Sequence, residues 1–280
     1  MITRIAPTPS GSLHAGNAVN FLLIEKIAKV TGSRIFLRID DLDRDRYRSE
    51  YLQDIFDSLH WLGIEWHNGP RDAADHLRNW SQQHRLSRYA EILEQLRGLG
   101  VLYGCTCSRS VLSNMRPEDH TCRTAGHHLD DPACSWRVRI ADGTRVTMHD
   151  LKGGTITLDV AALIGDTTLR QRPMNGSAGM PAYQIASLAD DVDRNVSLII
   201  RGADLLPSTA LQLYLASLLG LDHFRQIRFW HHPFIEDENG RKLSKSDGSA
   251  SLIALRESGS GTGELRAIAD RMFDQMKPMA

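Results

Sequence analysis

The order of predicted strands and helices is the feature that most limits what this chain can fold into. Short runs rich in apolar and branched residues predict strands at 2–6 and 34–39. Apolar residues that recur at helical spacing predict helices at 14–32, 49–63 and 81–97. Strands that alternate with helices in this way form parallel sheets covered by helices. The sequence therefore predicts an α/β fold with a Rossmann-like parallel sheet of the kind that binds nucleotides.

The middle of the chain interrupts this alternation. Between residues 101 and 180 the strand-like pieces WRVRI, RVTMHD and TITLDV are short and are separated by glycine, aspartate and proline. This pattern predicts a small mixed α+β insertion. The alternation then resumes with a predicted helix near 182–190, a strand at 196–200, a helix at 208–219 and a strand at 227–232. We therefore expect one parallel-sheet domain that is split by an insertion.

Four parts of the chain follow from this pattern. The first half of the sheet domain is expected at 1–100, the insertion with its cysteines at 101–180, and the second half at 181–246. Residues 247–280 are expected to form a flexible linker around ESGSGTGE (257–264) and one short helix.

Charge and hydropathy exclude several classes of protein. The chain has 33 lysines and arginines against 34 aspartates and glutamates, a formal net charge of −1, so it lacks the overall positive field of many nucleic-acid-binding domains. Any contact with RNA is then local, with RDRYR (44–48) and the insertion as candidate surfaces. No apolar run approaches the roughly 18 residues of a membrane span, and the N-terminus lacks the layout of a signal peptide. We expect a cytoplasmic monomer without membrane contact.

The segment RIAPTPSGSLHAGN (4–17) joins the first predicted strand to the first predicted helix. Ligands of open α/β sheets bind at this edge, where a helix N-terminus offers unpaired N–H groups to phosphates. His14 and Asn17 are three residues apart and face the same way, while Gly16 has no side chain to keep a flat base from the backbone. The pattern is neither the P-loop nor the dinucleotide fingerprint. It predicts a nucleotide site, and a proline-rich loop before a capped helix is the alternative interpretation.

A second polar segment, GRKLSKS (240–246), places Lys242 and Lys245 three residues apart. An exposed charged loop is the simplest interpretation of such a run. This run, however, follows the last predicted strand of the same sheet. We therefore expect its ammonium groups to reach phosphates that are held at the first helix.

Together the two segments resemble the paired ATP signatures of class I aminoacyl-tRNA synthetases. LHAGN stands where that class has its His-x-Gly-His element, and KLSKS where it has Lys-Met-Ser-Lys-Ser. Four further blocks, LRIDDLDRDR, YGCTCSR, MPAYQIASLADDV and IIRGADLLPSTALQLYLASLLG, are similar to the glutamyl-tRNA synthetase family. Over residues 3–250 the chain most resembles the truncated branch of that family, the glutamyl-Q tRNA(Asp) synthetases.

The resemblance implies an ATP-dependent ligase that activates glutamate, and it implies a role for each matching residue. Arg4 would bind the side-chain carboxylate of glutamate, and Asp40 would pair with its α-ammonium group. The rest of the amino-acid site would be formed by Ile5, Ala6, Pro7, Thr8, Tyr183 and Arg201. Mg²⁺ would bridge the phosphate oxygens of ATP. The implied catalytic and ATP-binding residues are His14, Gly16, Asn17, Lys242 and Lys245.

All four cysteines, Cys105, Cys107, Cys122 and Cys134, lie in one 30-residue window. A Cys-x-Cys pair can present two thiolates to one metal, and Cys122 follows after a loop long enough to fold back. Zinc takes four ligands in a tetrahedron. The resembled branch uses Cys-x-Cys, a tyrosine and a cysteine four residues later, whereas Glu118 stands at the place of that tyrosine. We expect a structural Zn²⁺ on Cys105, Cys107 and Cys122. The fourth ligand stays open among His120, His127, His128 and Cys134.

The resemblance also implies the acceptor. Only 34 residues follow Ser246, where family members that read the anticodon carry a further domain. This favours the branch that places glutamate on the queuosine base of tRNA(Asp). Two departures keep other amino acids open, because Asp40 is one methylene shorter than the usual glutamate and Gln184 stands where asparagine is common.

Several alternatives are compatible with the same residues. The activated substrate could be glutamine or an analogue, and the acceptor could be a carrier protein or a small molecule. A nucleotidyltransferase that activates no amino acid could share the histidine element. A regulatory or RNA-binding relic of a synthetase is the non-enzymatic reading, which the presence of His14, Asn17, Lys242 and Lys245 disfavours.

Overall fold

The computed structural model describes residues 1–113, 120–173, 179–235 and 251–276. Its strands are β1 (Ile2–Ile5), β2 (Arg34–Leu37), β3 (Leu102–Cys105), β4 (Ser135–Val138), β5 (Arg145–Asp150), β6 (Thr155–Asp159), β7 (Thr167–Arg170), β8 (Leu198–Gly202) and β9 (Arg228–His232). Its α-helices are α1 (Ala15–Thr31), α2 (Ser49–Trp61), α3 (Ala73–Asp75), α4 (Leu86–Gly98), α5 (Arg109–Ser113), α6 (Val160–Leu163), α7 (Tyr183–Asp193), α8 (Leu206–Leu218), α9 (Asp222–Arg225), α10 (Leu252–Glu257) and α11 (Gly263–Met276). A π-helix covers His76–Trp80, and 3₁₀ turns cover Gln82–Arg85, Thr121–Arg123 and Ala203–Leu205.

The parallel strands form the layer that the alternating sequence predicts. β1 pairs with β2, and β8 pairs with β9, both in parallel. β1 lies beside β8, because the Ser197 N–H donates to the Ile2 carbonyl oxygen over 2.9 Å and the Ile2 N–H donates to Ser197 Oγ over 3.0 Å. The two halves of the chain therefore meet in one sheet layer, and the predicted α/β fold is confirmed.

The segment predicted as an insertion contributes to two different sheets. β3, β4 and β7 form a separate antiparallel sheet. The β5–β6 hairpin instead joins the parallel strands, because β5 pairs in parallel with β9 through His149 and Asp150. The resulting order is β6-β5-β9-β8. Alternating sequence predicts such strands but does not tell which strand they will pair with.

Several predicted elements differ from the structure by a few residues at their ends, and for two of them the structure shows the physical reason. The helix predicted at 81–97 begins as a 3₁₀ turn, because Ser81 Oγ accepts the Gln83 N–H over 3.2 Å and caps that turn. The flexible linker predicted at 257–264 is wrong in extent: α10 ends at Glu257, α11 begins at Gly263, and only 258–262 connect them. The prediction rested on the glycine and serine content of this stretch. In the structure, the buried apolar face of α11 packs the following residues against the rest of the fold.

α1 is apolar on most of its surface because it is covered on two sides. It packs between the parallel sheet and α11, and its side chains share one hydrophobic core with β1, β2, β8 and α2. Burial of each leucine or isoleucine contributes about 1.5–3 kcal/mol. This packing fixes the N-terminal end of α1 at the edge of the sheet. Among the described helices, none has both the length and the apolar character needed to cross a membrane.

Asp54 of α2 joins three segments from a buried position. It is 3% exposed, and its carboxylate accepts hydrogen bonds from the Leu13 N–H over 3.3 Å and from Ser58 Oγ over 3.1 Å. The Arg256 Nη2 donates to the same carboxylate over 2.7 Å. These contacts hold the loop before α1 and the helix α10 against one point of α2.

Replacing Arg256 with methionine should destabilise the fold, because Asp54 would keep a buried negative charge without its cation. Removing one partner of a buried ion pair costs about 3–5 kcal/mol. The Arg256 side chain is 19% exposed, so we expect a loss of about 3 kcal/mol in the free energy of unfolding, measured with urea. Adding Asp54→Asn should restore part of the loss. Equal stability of Arg256→Met and the parent protein would contradict this role of the pair.

Candidate active site and metal centre

A cavity of about 440 Å³ opens at the carboxyl ends of β1 and β8, next to the first turn of α1. The carboxyl ends of neighbouring parallel strands meet at one edge of a sheet, so residues from both halves of the chain share this cavity. Most of the predicted site residues line it: Arg4, Ala6, Pro7, Thr8, His14, Asn17, Tyr183 and Arg201.

The first turn of α1 forms one wall of the cavity. His14 caps the 17-residue helix with extended backbone angles (φ −125°, ψ 170°), and its N–H donates to Asn17 Oδ1 over 3.1 Å. The N-terminal end of a helix carries partial positive charge and attracts anions. No acidic residue stands in this first turn to neutralise that charge. This wall is therefore suited to phosphate groups.

Residues 251 and 252 contact the same wall of the cavity, at the start of α1. Ser251 forms an antiparallel bridge with His14, and the Leu252 N–H donates to the Leu13 carbonyl oxygen over 2.8 Å. The predicted residues Lys242 and Lys245 lie outside the described residues. The described chain that follows them begins beside His14.

Arg4 of β1 borders the cavity and is held by a buried carboxylate. It is 4% exposed, its Nε lies 3.5 Å from Asp191 Oδ1, and its Nη1 donates to the Ile200 carbonyl oxygen over 3.4 Å. Asp191 also accepts a hydrogen bond from Arg38 Nη1 over 2.7 Å. One carboxylate is therefore shared between two guanidinium groups.

Arg201 of β8 borders the same cavity but has a different environment. Its Nη2 donates to Thr209 Oγ1 over 2.5 Å and to Gln212 Oε1 over 2.9 Å, and its buried Nε and Nη1 have no hydrogen-bond partner among the described residues. Burial lowers the pKa of Arg201 to about 10; Tyr183 and Asp191 act against this effect, and the positive charge of Arg4 adds to it. Arg201 is still protonated at neutral pH, so it is a buried cation whose countercharge an anionic ligand can supply.

Three of the predicted active-site residues that the structure describes are not among those that line the cavity. The side chain of Ile5 lies in the hydrophobic core, and Gly16 is buried within the first turn of α1. Asp40 is 6% exposed and accepts a hydrogen bond from Arg38 Nε over 2.6 Å. Burial raises the pKa of the Asp40 carboxyl, Arg38 offsets part of that effect, and neighbouring carboxylates add to it.

Some residues at the cavity were not predicted as part of it. Asn20 lines it one turn after Asn17, and this three-residue spacing on a helix is a signal that could have identified it. Arg46, predicted only as a candidate RNA contact, also borders the cavity. Arg38 and Asp191, which are buried next to Arg4, were also not predicted. The sequence signal for them is weaker: Asp191 is an acidic residue on the buried face of α7.

A second cluster of functional side chains lies at the end of β3. The ligand atoms of Cys105, Cys107, His120 and Cys122 all lie within 4.8 Å of one another. Cys105 Sγ is 3.3 Å from His120 Nε2, and Cys107 Sγ is 3.6 Å from Cys122 Sγ. Tetrahedral zinc, with bonds of about 2.3 Å to sulfur and 2.0–2.1 Å to nitrogen, sets its ligands about 3.5–3.8 Å apart. The cluster could therefore hold a metal ion. The other candidates for the fourth position lie outside the cluster found among the described residues: His127, His128 and Cys134.

The surroundings of this cluster suit a metal site. Tyr103 Oη lies 3.4 Å from His120 Nδ1, a contact of the kind that orients a ligating imidazole. Burial acts to raise the pKa of the Cys122 thiol, but hydrogen bonds from Thr106 and from the neighbouring thiols lower it to about 7. Burial and the neighbouring thiols raise the pKa of Cys105 and raise that of Cys107 to about 11, so in the absence of a metal Cys122 is the cysteine most readily available as the thiolate that metals bind.

The chain is similar to proteins of one family over nearly its whole length. The family model for tRNA synthetases class I (E and Q), catalytic domain, matches residues 1–272. A glutamyl-Q tRNA(Asp) synthetase of Nitratidesulfovibrio vulgaris is 34% identical over 276 residues, covering 91% of this chain and 81% of that protein. One of Pseudomonas paraeruginosa is 36% identical over 271 residues, covering 96% of this chain and 86% of that protein.

A solved structure agrees with the sequence relatives. The glutamate-tRNA synthetase from Elizabethkingia anophelis superposes with a TM-score of 0.69 and 25% sequence identity over 89% of this chain. The chain covers 53% of that protein, so it spans about half the length of this larger synthetase. On this similarity of sequence and fold, the chain belongs to the class I tRNA synthetase family of the E and Q type, whose catalytic domain it carries.

Proposed function

We propose that this protein uses ATP to activate glutamate as glutamyl-adenylate, releasing pyrophosphate, and transfers the glutamyl group to the queuosine base of tRNA(Asp). Two of the similar proteins are named glutamyl-Q tRNA(Asp) synthetases, and this chain covers more than four fifths of the length of each. This similarity supports the assignment. The name of the solved glutamate-tRNA synthetase supports the choice of amino acid.

One observation of the site carries the choice of glutamate. Arg201 borders the cavity as a buried cation, with two donor nitrogens that have no partner in the described part of the chain. A side-chain carboxylate supplies the missing negative charge, whereas the carboxamide of glutamine does not. Arg4 borders the same cavity, and we assign both arginines to this carboxylate. The environment of Arg201 thus favours glutamate over glutamine or a neutral analogue.

The activation step depends mainly on alignment and charge. The α-carboxylate of glutamate is ionised at neutral pH, with a reference pKa of about 3.5, so it attacks the α-phosphorus of ATP without a general base. The bond to the pyrophosphate leaving group breaks in the same substitution. We assign the nucleotide to the wall formed by His14, Gly16 and Asn17, and the α-ammonium group to Tyr183. Asp40 is buried in a pair with Arg38 and does not line the cavity, so its expected contact with the ammonium group is not part of this assignment. Mg²⁺ bound to the phosphate oxygens would neutralise their charge.

We propose that Lys242 and Lys245 act on the same phosphates. Ser251 pairs with His14, and Lys245 precedes it by six residues. Six residues of extended chain span at most about 20 Å, a length that allows Lys245 to act at the nucleotide wall. Its ammonium group would oppose the negative charge that builds on the leaving pyrophosphate.

The insertion is the proposed contact for the acceptor. In this assignment the segments 1–100 and 181–246 activate glutamate, and the segment 101–180 contacts the tRNA. Arg46 and its neighbours at 44–48 are the second proposed RNA contact, through phosphate groups. We also propose that the four-residue cluster holds a structural Zn²⁺, whose bonds would fix the turn at Thr121–Arg123 against β3. The proposed ligands are Cys105, Cys107, His120 and Cys122.

Exchange of labelled pyrophosphate into ATP tests the activation step. We expect exchange with glutamate, and exchange with glutamine that is slower by about 10-fold or more. The reason is that only glutamate has a side-chain carboxylate to pair with the guanidinium of Arg201. Lys245→Ala should lower exchange by about 100-fold or more, while Lys29→Ala, which changes a side chain that is 70% exposed in α1, should leave it unchanged. Exchange that needs no amino acid would instead identify a nucleotidyltransferase.

Transfer of labelled glutamate tests the acceptor. The label should enter tRNA(Asp) that carries queuosine and should be absent from the same tRNA prepared without it. Label on queuosine-free tRNA would assign the transfer to another position. Activation without label on any tRNA would favour a carrier protein or a small molecule as acceptor.

Metal analysis of purified protein tests the zinc assignment. We expect about one zinc per chain, and His120→Ala should lower that content because it removes one of four ligands. His128→Ala is the matched control, since this imidazole is 77% exposed and lies outside the cluster. Protein that is free of zinc when it is purified without chelators would contradict the assignment.

A further inference from the structure

We infer that Thr209, Gln212 and His231 are positioning residues that set the preference for a carboxylate side chain over its amide. We call these three residues the neutral cradle, because they hold Arg201 while adding no negative charge. The inference rests on the proposed activation of glutamate and concerns how the same site selects it.

The neutral cradle surrounds one end of the Arg201 guanidinium. Thr209 and Gln212 stand nearly one turn apart on α8 and are both fully buried. Arg201 Nη2 donates to Thr209 Oγ1 over 2.5 Å and to Gln212 Oε1 over 2.9 Å. Thr209 Oγ1 lies 2.6 Å from His231 Nε2, and the His231 ring stacks on Phe229 with an interplanar angle of 13°. The guanidinium is therefore held in one orientation by contacts from α8 and β9.

Every member of the neutral cradle is uncharged at neutral pH. Threonine and glutamine side chains do not ionise in this range. Burial, together with the positive charges of Arg201 and Arg4, lowers the pKa of His231 to about 3. His231 is therefore a neutral imidazole, and the charge of Arg201 is neither cancelled nor opposed within hydrogen-bond distance.

The other buried arginines of the site are bound differently. Arg4 and Arg38 share Asp191, and Arg38 also pairs with Asp40. The described hydrogen-bond partners of Arg201 are all uncharged. Coulombic attraction is strong in a buried site, where water screens it little. Asp191 attracts Arg201 as well, but without a hydrogen bond or ion pair to it. Arg201 thus keeps positive charge for a ligand, and a carboxylate gains from it more than a carboxamide does.

Gln212→Glu tests the inference with almost no change of shape. The new carboxylate would stand where Gln212 Oε1 now accepts from Arg201 Nη2, and would cancel the charge that selects the ligand. In pyrophosphate exchange we expect the KM for glutamate to rise about 10-fold or more, with the KM for ATP unchanged. The KM for glutamine should change little, so the ratio of glutamate to glutamine activity should fall about 10-fold. A loss of packing alone would raise the KM values for both amino acids equally.

Three further variants make the result specific. Thr209→Asp also places a carboxylate at Arg201 Nη2, and it decides the outcome if Gln212→Glu does not fold. Thr209→Val removes an acceptor without adding charge and should keep the ratio of the two amino acids. Gln226→Glu adds the same charge at an exposed position and should behave as the parent protein.

The two levels of the proposal fail in different ways. If the parent protein shows no exchange with glutamate, the proposed function is wrong and the role of the neutral cradle falls with it. If the parent protein activates glutamate and the folded carboxylate variants keep its ratio of glutamate to glutamine, the neutral cradle alone is wrong. A falling ratio in Gln212→Glu or Thr209→Asp, with a constant ratio in Thr209→Val, supports it.

Discussion

The geometry of the cavity depends on one buried carboxylate, that of Asp191. It is 1% exposed, and it pairs with Arg4 from β1 and with Arg38, which follows β2. Three elements, β1, β2 and α7, are therefore joined at one carboxyl group beside the cavity. Removing the carboxylate would leave two buried guanidinium groups without their shared countercharge, and a buried charge without a partner is strongly destabilising. Replacing all the paired charges together by well-packed apolar residues is often neutral for stability, so what the charged set contributes here is the orientation of Arg4.

The distribution of charge around the cavity explains which ligands it suits. Asp191 compensates Arg4, Arg201 has only uncharged hydrogen-bond partners in the described chain, and the N-terminal end of α1 has no acidic residue in its first turn. The cavity thus presents positive charge in two places, at the arginines and at the helix. A ligand pair with anionic groups at two places, an acidic amino acid and a nucleoside triphosphate, matches this arrangement better than a neutral substrate does.

Local pattern predicted the parts of the fold that depend on neighbouring residues. The bounds of α1 follow from its apolar spacing and from Gly32, whose φ of 64° ends the helix. The cavity residues that follow β1 were predicted because the end of a parallel strand and the start of a helix are adjacent in sequence. Asn20 carried the same kind of signal and was missed only because it lies outside the resembled motif.

Choices between distant partners were not predictable in the same way. β5 has the alternation of any half-buried strand, and nothing in its residues indicates a pairing with β9. The same holds for the fourth member of the cysteine cluster, because His120 was one of four candidates until the fold brought it to Cys105. The ion pairs of Asp191 with Arg4 and Arg38 join residues more than 150 positions apart. Each of these contacts depends on the tertiary arrangement that the local patterns leave open.

The pairing of Ser251 with His14 has a consequence for what holds the first turn of α1 in place. Through this bridge and the hydrogen bond from the Leu252 N–H to the Leu13 carbonyl oxygen, α10 is joined to the first turn of α1. The same helix is anchored to α2 by the ion pair of Arg256 with Asp54. A change that frees α10 from α2 would therefore also loosen the backbone around His14, so an ion pair outside the cavity lining helps to hold the helix end that borders the cavity.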